Sequence, residues 1–210
     1  MQFPEARILV FCKAPVPGKV KTRLMPALTA TEAAELHRRL ALHTLEKLKN
    51  AQLCPVDLWC SPDTHDPFFA ECRNGYAAPL HKQTGADLGE KMHRALKNTL
   101  SECPYVLLIG CDCPSLTSSD LTEAFNALKR GADAVLGPAA DGGYVLIGLR
   151  SPQRELFHNI AWGTDTVLGE TRHRLGTLCL TWTELPTLWD IDRMEDLERL
   201  RTMGFSTKLL

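Results

Sequence analysis

Apolar residues occur in two rhythms along the chain, short unbroken runs and longer stretches with a helical repeat, and the two alternate from end to end. Arg7-Ile8-Leu9-Val10-Phe11-Cys12 is a short apolar run followed by Pro15, Pro17 and Gly18, which predicts a buried strand and then a loop to about Pro26. Thr29 and Glu32 have capping-box spacing ahead of a helix whose Ala33, Leu36, Leu40, Thr44 and Leu48 share one face. A second strand is expected at Val56 to Cys60. A short helix follows over His65 to Arg73, with Pro67 in its first turn. Then come a short strand at Pro79 to Gln83 and a helix over Leu88 to Leu100, with Met92, Leu96 and Leu100 in register. Tyr105 to Gly110 reads as a strand. The next helix is expected to be capped by Ser118 or Ser119, to reach Lys129 and to end at Gly131. Strands at Ala134 to Leu136 and Tyr144 to Leu149 flank a turn at Pro138 to Gly143. A helix over Thr164 to Leu175, a strand at Leu178 to Trp182 and a helix over Met194 to Met203 complete the pattern.

Strands alternating with helices of this length imply a mostly parallel sheet with helices on both faces. No internal repeat, low-complexity tract or linker divides the chain, so one domain is expected over residues 1–210. In such sheets ligands bind beyond the carboxyl ends of the strands. The loops after Phe11, Gln83, Gly110 and Leu136 should therefore form one functional rim.

Composition changes this picture little. With 44% hydrophobic and 23% charged residues, the chain has an ordinary globular make-up. A net charge of −1 argues against an extended surface for nucleic acid or anionic membrane. No apolar run is long enough for a membrane span, and the N-terminal residues lack a signal-peptide layout, so a cytoplasmic protein is expected. The eight cysteines form no C-x-x-C pair and read as reduced, mostly structural thiols. Neither they nor the seven histidines show a spacing that suggests a ligand set.

Local charge on the rim is more informative. The segment from Lys13 to Leu24 carries Lys13, Lys19, Lys21 and Arg23 just past the first strand, stiffened by prolines and opened by Gly18. Lysine point charges and the arginine fork suit phosphate oxygens. The segment has neither Walker nor Rossmann glycine spacing. Asp112, in Gly110-Cys111-Asp112-Cys113-Pro114, stands where a carboxylate can hold a hard cation against phosphate; taken alone, it reads equally well as a turn organiser. Asp190 or Asp192 could bring a second metal carboxylate, while Glu195 and Asp196 suit the first turn of a helix. Asp141-Gly142-Gly143-Tyr144 reads either as a hairpin turn or as a loop that admits a ligand. Gln83 and Gly85 could face a base edge or simply begin a helix. Trp162 and Thr164 could line an acceptor pocket, or Thr164 could be a cap.

In this order along nearly the whole chain, these segments resemble the nucleotide-diphospho-sugar transferase superfamily, the GT-A fold, and within it a bacterial glycosyltransferase-like group. The layout is more distantly similar to the small nucleotidyltransferases of cofactor biosynthesis. The resemblance implies a single three-layer α/β/α domain with a mostly parallel mixed sheet, a nucleotide donor, a small-molecule acceptor and Mg2+ or Mn2+; it leaves a homodimer open. By position, it makes Asp112 and Asp192 the metal ligands and Lys21, Arg23 and Asp112 the catalytic set. Lys13, Gly18, Lys21, Arg23, Gln83 and Gly85 would bind the nucleotide, and Asp141, Gly143, Tyr144, Trp162 and Thr164 the sugar or acceptor. Sugar transferases of this fold carry a D-x-D motif, whereas Cys113 and Pro114 follow Asp112 here. A lone carboxylate together with a basic loop tilts the expected reaction towards nucleotidyl transfer, with glycosyl transfer as the alternative and a non-catalytic nucleotide-binding protein as the third reading.

Overall fold

The computed structural model describes residues 1–202. The elements run β1 (Ala6–Lys13), α1 (Ala30–Ala51), β2 (Val56–Ser61), α2 (Pro67–Tyr76), β3 (Leu80–Lys82), α3 (Leu88–Leu100) and β4 (Tyr105–Gly110). They continue with α4 (Ser118–Lys129), β5 (Ala134–Pro138), β6 (Tyr144–Leu149), α5 (Val167–Thr177), β7 (Trp182–Glu184) and α6 (Met194–Thr202). Short 3-10 turns lie at Thr22–Leu24 and Arg154–Leu156. Met203, expected to end the last helix, lies outside the described residues.

The strands form a seven-stranded sheet in the order β3-β2-β1-β4-β6-β5-β7. β6 runs antiparallel to both of its neighbours, and the other pairings are parallel. The carboxyl ends of β1, β3, β4 and β5 thus share one edge, as the alternating pattern predicted. Consecutive strand residues serve opposite faces. Ile8, Val10 and Cys12 pack under α1, α2 and α4, while Leu9 packs with Met92, Leu96 and Leu175 from α3 and α5. This is a single α/β domain with helices on both faces.

The Thr29–Glu32 capping box is present, with both reciprocal hydrogen bonds. Several boundaries differ from expectation, α2 running Pro67–Tyr76 among them, and three have a cause in the local contacts. The helix α4 is capped by Thr117, not Ser118 or Ser119, because Asp120 at N3 completes a second capping box with Thr117. The helix expected from Thr164 begins at Val167, since Asp165 is held against Gly142, where an added Cβ would lie 2.2 Å from Asp165 O. The strand expected at Leu178 to Trp182 is displaced to Trp182–Glu184. Cys179 adopts φ 53 and Leu180 N donates to Leu175 O, so these residues close α5 before the chain becomes extended.

Candidate functional site

The loop leaving β1 tightens at Gly18 (φ 75) and enters the 3-10 turn through Lys21, whose backbone is left-handed at φ 49. A lysine in that region is strained and persists only where its surroundings hold it. Its side chain, 5% exposed, is held at both ends of the site: Nζ donates to Asp112 Oδ2 at 2.7 Å and to the carbonyl of Ile191. Burial works against the charged form of each partner. Their mutual attraction outweighs it, holding the Asp112 carboxyl below and the Lys21 ammonium above their ordinary values.

Hydrophobic packing explains why segments so distant in sequence meet here. Leu24, just beyond the basic residues, and Ile191, between two aspartates, are both fully buried in a cluster with Leu36 and Leu40 of α1 and Leu197 and Leu200 of α6. Backbone bonds complete the join. Ile191 N donates to Asp112 O at 3.0 Å, and the Ser115 hydroxyl donates to Trp189 O and accepts from Trp189 N. At the far side of the same segment, Ala140 N donates to Leu188 O.

Around Asp112 these elements enclose a cleft of about 300 Å³. All four cations of the basic loop, Lys13, Lys19, Lys21 and Arg23, line it together with Gln83 and Asp192. Arg23 pairs with Asp192 at 2.5 Å. Gln83 is buried and gives its amide to the Trp59 carbonyl at 2.8 Å, which fixes its side chain. A second cleft, of about 520 Å³, is lined by Asp141, Asp165, Asp190, Asp192, Arg193 and Arg199. The two meet at Asp192. Asp190 is pushed up to about 6, first by burial and then by the charge of Asp112.

The other expected site residues sit as follows. Gly18 forms the exposed turn of the loop and Gly85 the turn into α3; neither lines the cleft. Asp141 accepts from Gly143 N at 2.9 Å and shapes the turn that borders the second cleft. Tyr144 and Trp162 pack edge to face at 6.4 Å, and Thr164 donates to Ala161 O. These three shape the wall between β6 and α5 and do not line either cleft. Cys113, where a second acid would complete D-x-D, is buried with its thiol against Ser115 and the Trp189 carbonyl. Asp196 accepts from the amides of Asp192 and Arg193 and so caps α6.

Sequence reasoning missed three residues of the first cleft: Cys12, His37 and Cys111. His37 lies on the buried face of α1 and offered no spacing to read. Cys12 and Cys111 each directly follow a strand residue that pairs with the other strand, Phe11 with Gly110; that shared position was the signal available.

Residues 44–164 match a protein family described as "Uncharacterized protein conserved in bacteria (DUF2064)". The matched stretch contains Asp112, but neither the basic loop nor Asp190 and Asp192. No curated protein matches the chain in sequence. Among solved structures, it is similar to a "putative nucleotide-diphospho-sugar transferase" from Desulfovibrio desulfuricans G20. The two are 32% identical, with a TM-score of 0.86 over 97% of this chain and 89% of the other. A cytidylyltransferase from Leptospira borgpetersenii shares the fold at 16% identity and TM-score 0.63, over 95% of this chain and 86% of that one. The inositol-1-phosphate CTP transferase from T. maritima does so at 13% identity and TM-score 0.59, over 96% of each chain. The family match over more than half of the chain, on a nucleotide-diphospho-sugar transferase type of fold, establishes that this chain belongs to the DUF2064 family.

Proposed function

We propose that this chain is a nucleotide-using transferase that moves a nucleotidyl group from a nucleoside triphosphate to a small phosphorylated or carboxylated acceptor. The observation that carries this reading is the convergence of Lys13, Lys19, Lys21 and Arg23 on the cleft that contains Asp112. Cations in this number suit a chain of phosphates, and a triphosphate offers them more oxygens than a diphosphate. The solved neighbours named as cytidylyl- and CTP transferases are consistent with it.

In this reading, the nucleoside lies towards Gln83 and the phosphates lie along the basic loop. The second cleft, joined at Asp192, receives the acceptor, with Arg193 and Arg199 available to its anionic group. An acceptor oxygen attacks the α-phosphorus, the bond to the bridging oxygen breaks, and pyrophosphate leaves. Lys21 and Arg23 neutralise the charge that builds up on the phosphate oxygens, so positioning and electrostatics supply the catalysis. In this reading Asp112, with Asp190 in the adjoining cleft, would offer hard oxygen donors that suit Mg2+ or Mn2+. Asp192 is the further candidate ligand once its pairing with Arg23 opens. A bound divalent ion would supply charge neutralisation between donor and acceptor oxygens.

The test is pyrophosphate release from nucleoside triphosphates, with magnesium, across a panel of phosphorylated and carboxylated acceptors. Release with one donor–acceptor pair is expected, and Lys21→Met should lower its rate by roughly a hundredfold or more. The similarity to the Desulfovibrio protein favours a second reading, glycosyl transfer. Absence of pyrophosphate with every pair, together with nucleoside diphosphate release from a nucleotide sugar, would replace the first reading with the second.

A further inference from the structure

We propose that Cys12, His37 and Cys111 form a separate binding site, at the floor of the first cleft, for a thiophilic metal ion such as Zn2+. The ligand atoms of the three residues lie within 4.8 Å of one another, and all three residues are buried. The fold brings them together from three elements. Cys12 lies near the end of β1, Cys111 directly after β4, and His37 on the helix that covers both strands.

The spacing is close to what an ion needs. Zinc bound to sulfur at about 2.3 Å and to nitrogen at about 2.0 Å in a tetrahedron keeps its ligand atoms roughly 3.5–3.8 Å apart. Cys12 Sγ and His37 Nε2 are already 3.9 Å apart. Closing the site therefore requires movements of side chains, not of the sheet. The Nε2 of His37 meets only the Lys13 carbonyl, at 2.9 Å, besides the Cys12 thiol. The other ring nitrogen, Nδ1, is buried without a hydrogen-bond partner and can take the proton that Nε2 gives up. Burial keeps this imidazole in its neutral, ligating form.

The donor set separates this site from the carboxylates above it. Two thiolates and an imidazole select zinc or a similar soft ion, whereas Asp112 and Asp190 present oxygen to a hard one. Binding moves the Nε2 proton of His37 to Nδ1 and releases the two thiol protons to solvent, so affinity rises with pH. All three residues line the cleft, which gives the ion a route in and leaves a fourth coordination position for water. The proposal requires no nucleotide and stands or falls apart from the transferase reading.

The experiment titrates metal-free protein with Cd2+ and follows the ultraviolet thiolate-to-cadmium charge-transfer band. The band should saturate at a single ion per chain. It should disappear in Cys12→Ser and in Cys111→Ser, and remain in Cys179→Ser, which alters an exposed thiol. X-ray absorption on the zinc-loaded, unmutated chain keeps the test valid if a variant fails to fold: two sulfur neighbours and a nitrogen are expected. An oxygen-only shell, or a cadmium band that survives both of the buried-thiol substitutions, would overturn the proposal.

Discussion

Asp190 is a carboxylate that keeps its proton to a higher pH in the folded chain than in the unfolded one. Its ordinary value is 3.8, and burial beside Asp112 pushes it up to about 6. The native state therefore holds a proton that the unfolded chain releases at lower pH. The linkage contribution of this group favours folding below pH 4, and that advantage is lost as pH rises through 6. Asp190→Asn should accordingly raise the melting temperature relative to the parent chain at pH 8 and leave it nearly unchanged at pH 4. A lower melting temperature at pH 8 would contradict the burial argument. Under the proposed function the same proton would compete with a metal ion, so magnesium-dependent nucleotide binding should weaken as pH falls through about 6, which calorimetry at fixed ionic strength can follow. Lys21 makes the opposite bargain, because its ammonium remains charged against Asp112. The cationic loop and the carboxylates were legible in the sequence because charge after a buried strand has few structural uses. Asp190's distinction from Asp192 was not, since both flank Ile191 and only the folded chain shows which one faces Asp112 and which one pairs with Arg23.

Helix α3 illustrates how an element can be read correctly while the reason for one of its residues stays hidden. Its limits, Leu88–Leu100, followed from hydrophobic spacing alone. Gly89 in its first turn reads as a poor helix former, yet it is buried where a Cβ would lie 2.2 Å from Phe157 O and 2.6 Å from Trp162 Nε1. The helix start is thus seated directly on the segment that carries Trp162. Gly89→Ala should destabilise the protein by roughly 1–3 kcal/mol through overpacking, although alanine is favoured in a helix interior by about 1 kcal/mol. Urea denaturation measures the sum, and a variant as stable as the parent would show that the contact yields. The misread start of α5 shares this physical origin. Thr164, Asp165 and Thr166 look like a cap, but Leu168 N donating to Gly142 O at 2.9 Å fixes where α5 can begin. Tertiary contacts made by glycine leave no periodic trace in the sequence. The same holds for Cys12, His37 and Cys111, whose grouping depends on how α1 crosses two strands.

Across the whole molecule, the site links the stability of the fold to its ligands. Nucleotide held by the basic loop and by the carboxylates would bridge β1, β4 and the segment before α6, whose packing already joins them. A ligand at a hundred times its dissociation constant adds about 2.7 kcal/mol, which in a chain of this size raises the melting point by roughly 5–10 °C. Under the proposed function a nucleoside triphosphate should do this with magnesium present, and Lys21→Met should abolish most of the shift. A full nucleotide panel with no shift would remove the basis for the proposed donor. Among the described residues, no helix is long and apolar enough to cross a membrane. The overall architecture was largely readable because the alternation of strands and helices admits few topologies; the reversed direction of β6 was open in the hairpin reading of the turn before it, whereas its pairing with β4 was not legible. The late position of Trp189 to Asp192, bonded back to Asp112 and Ser115, has a consequence for biosynthesis. As the chain leaves the ribosome, all seven strands emerge before the residues that close the cleft. A nascent protein would therefore own its sheet before its chemistry, and premature termination near the end would leave both the cleft and the cluster around Leu24, Leu36 and Leu40 open.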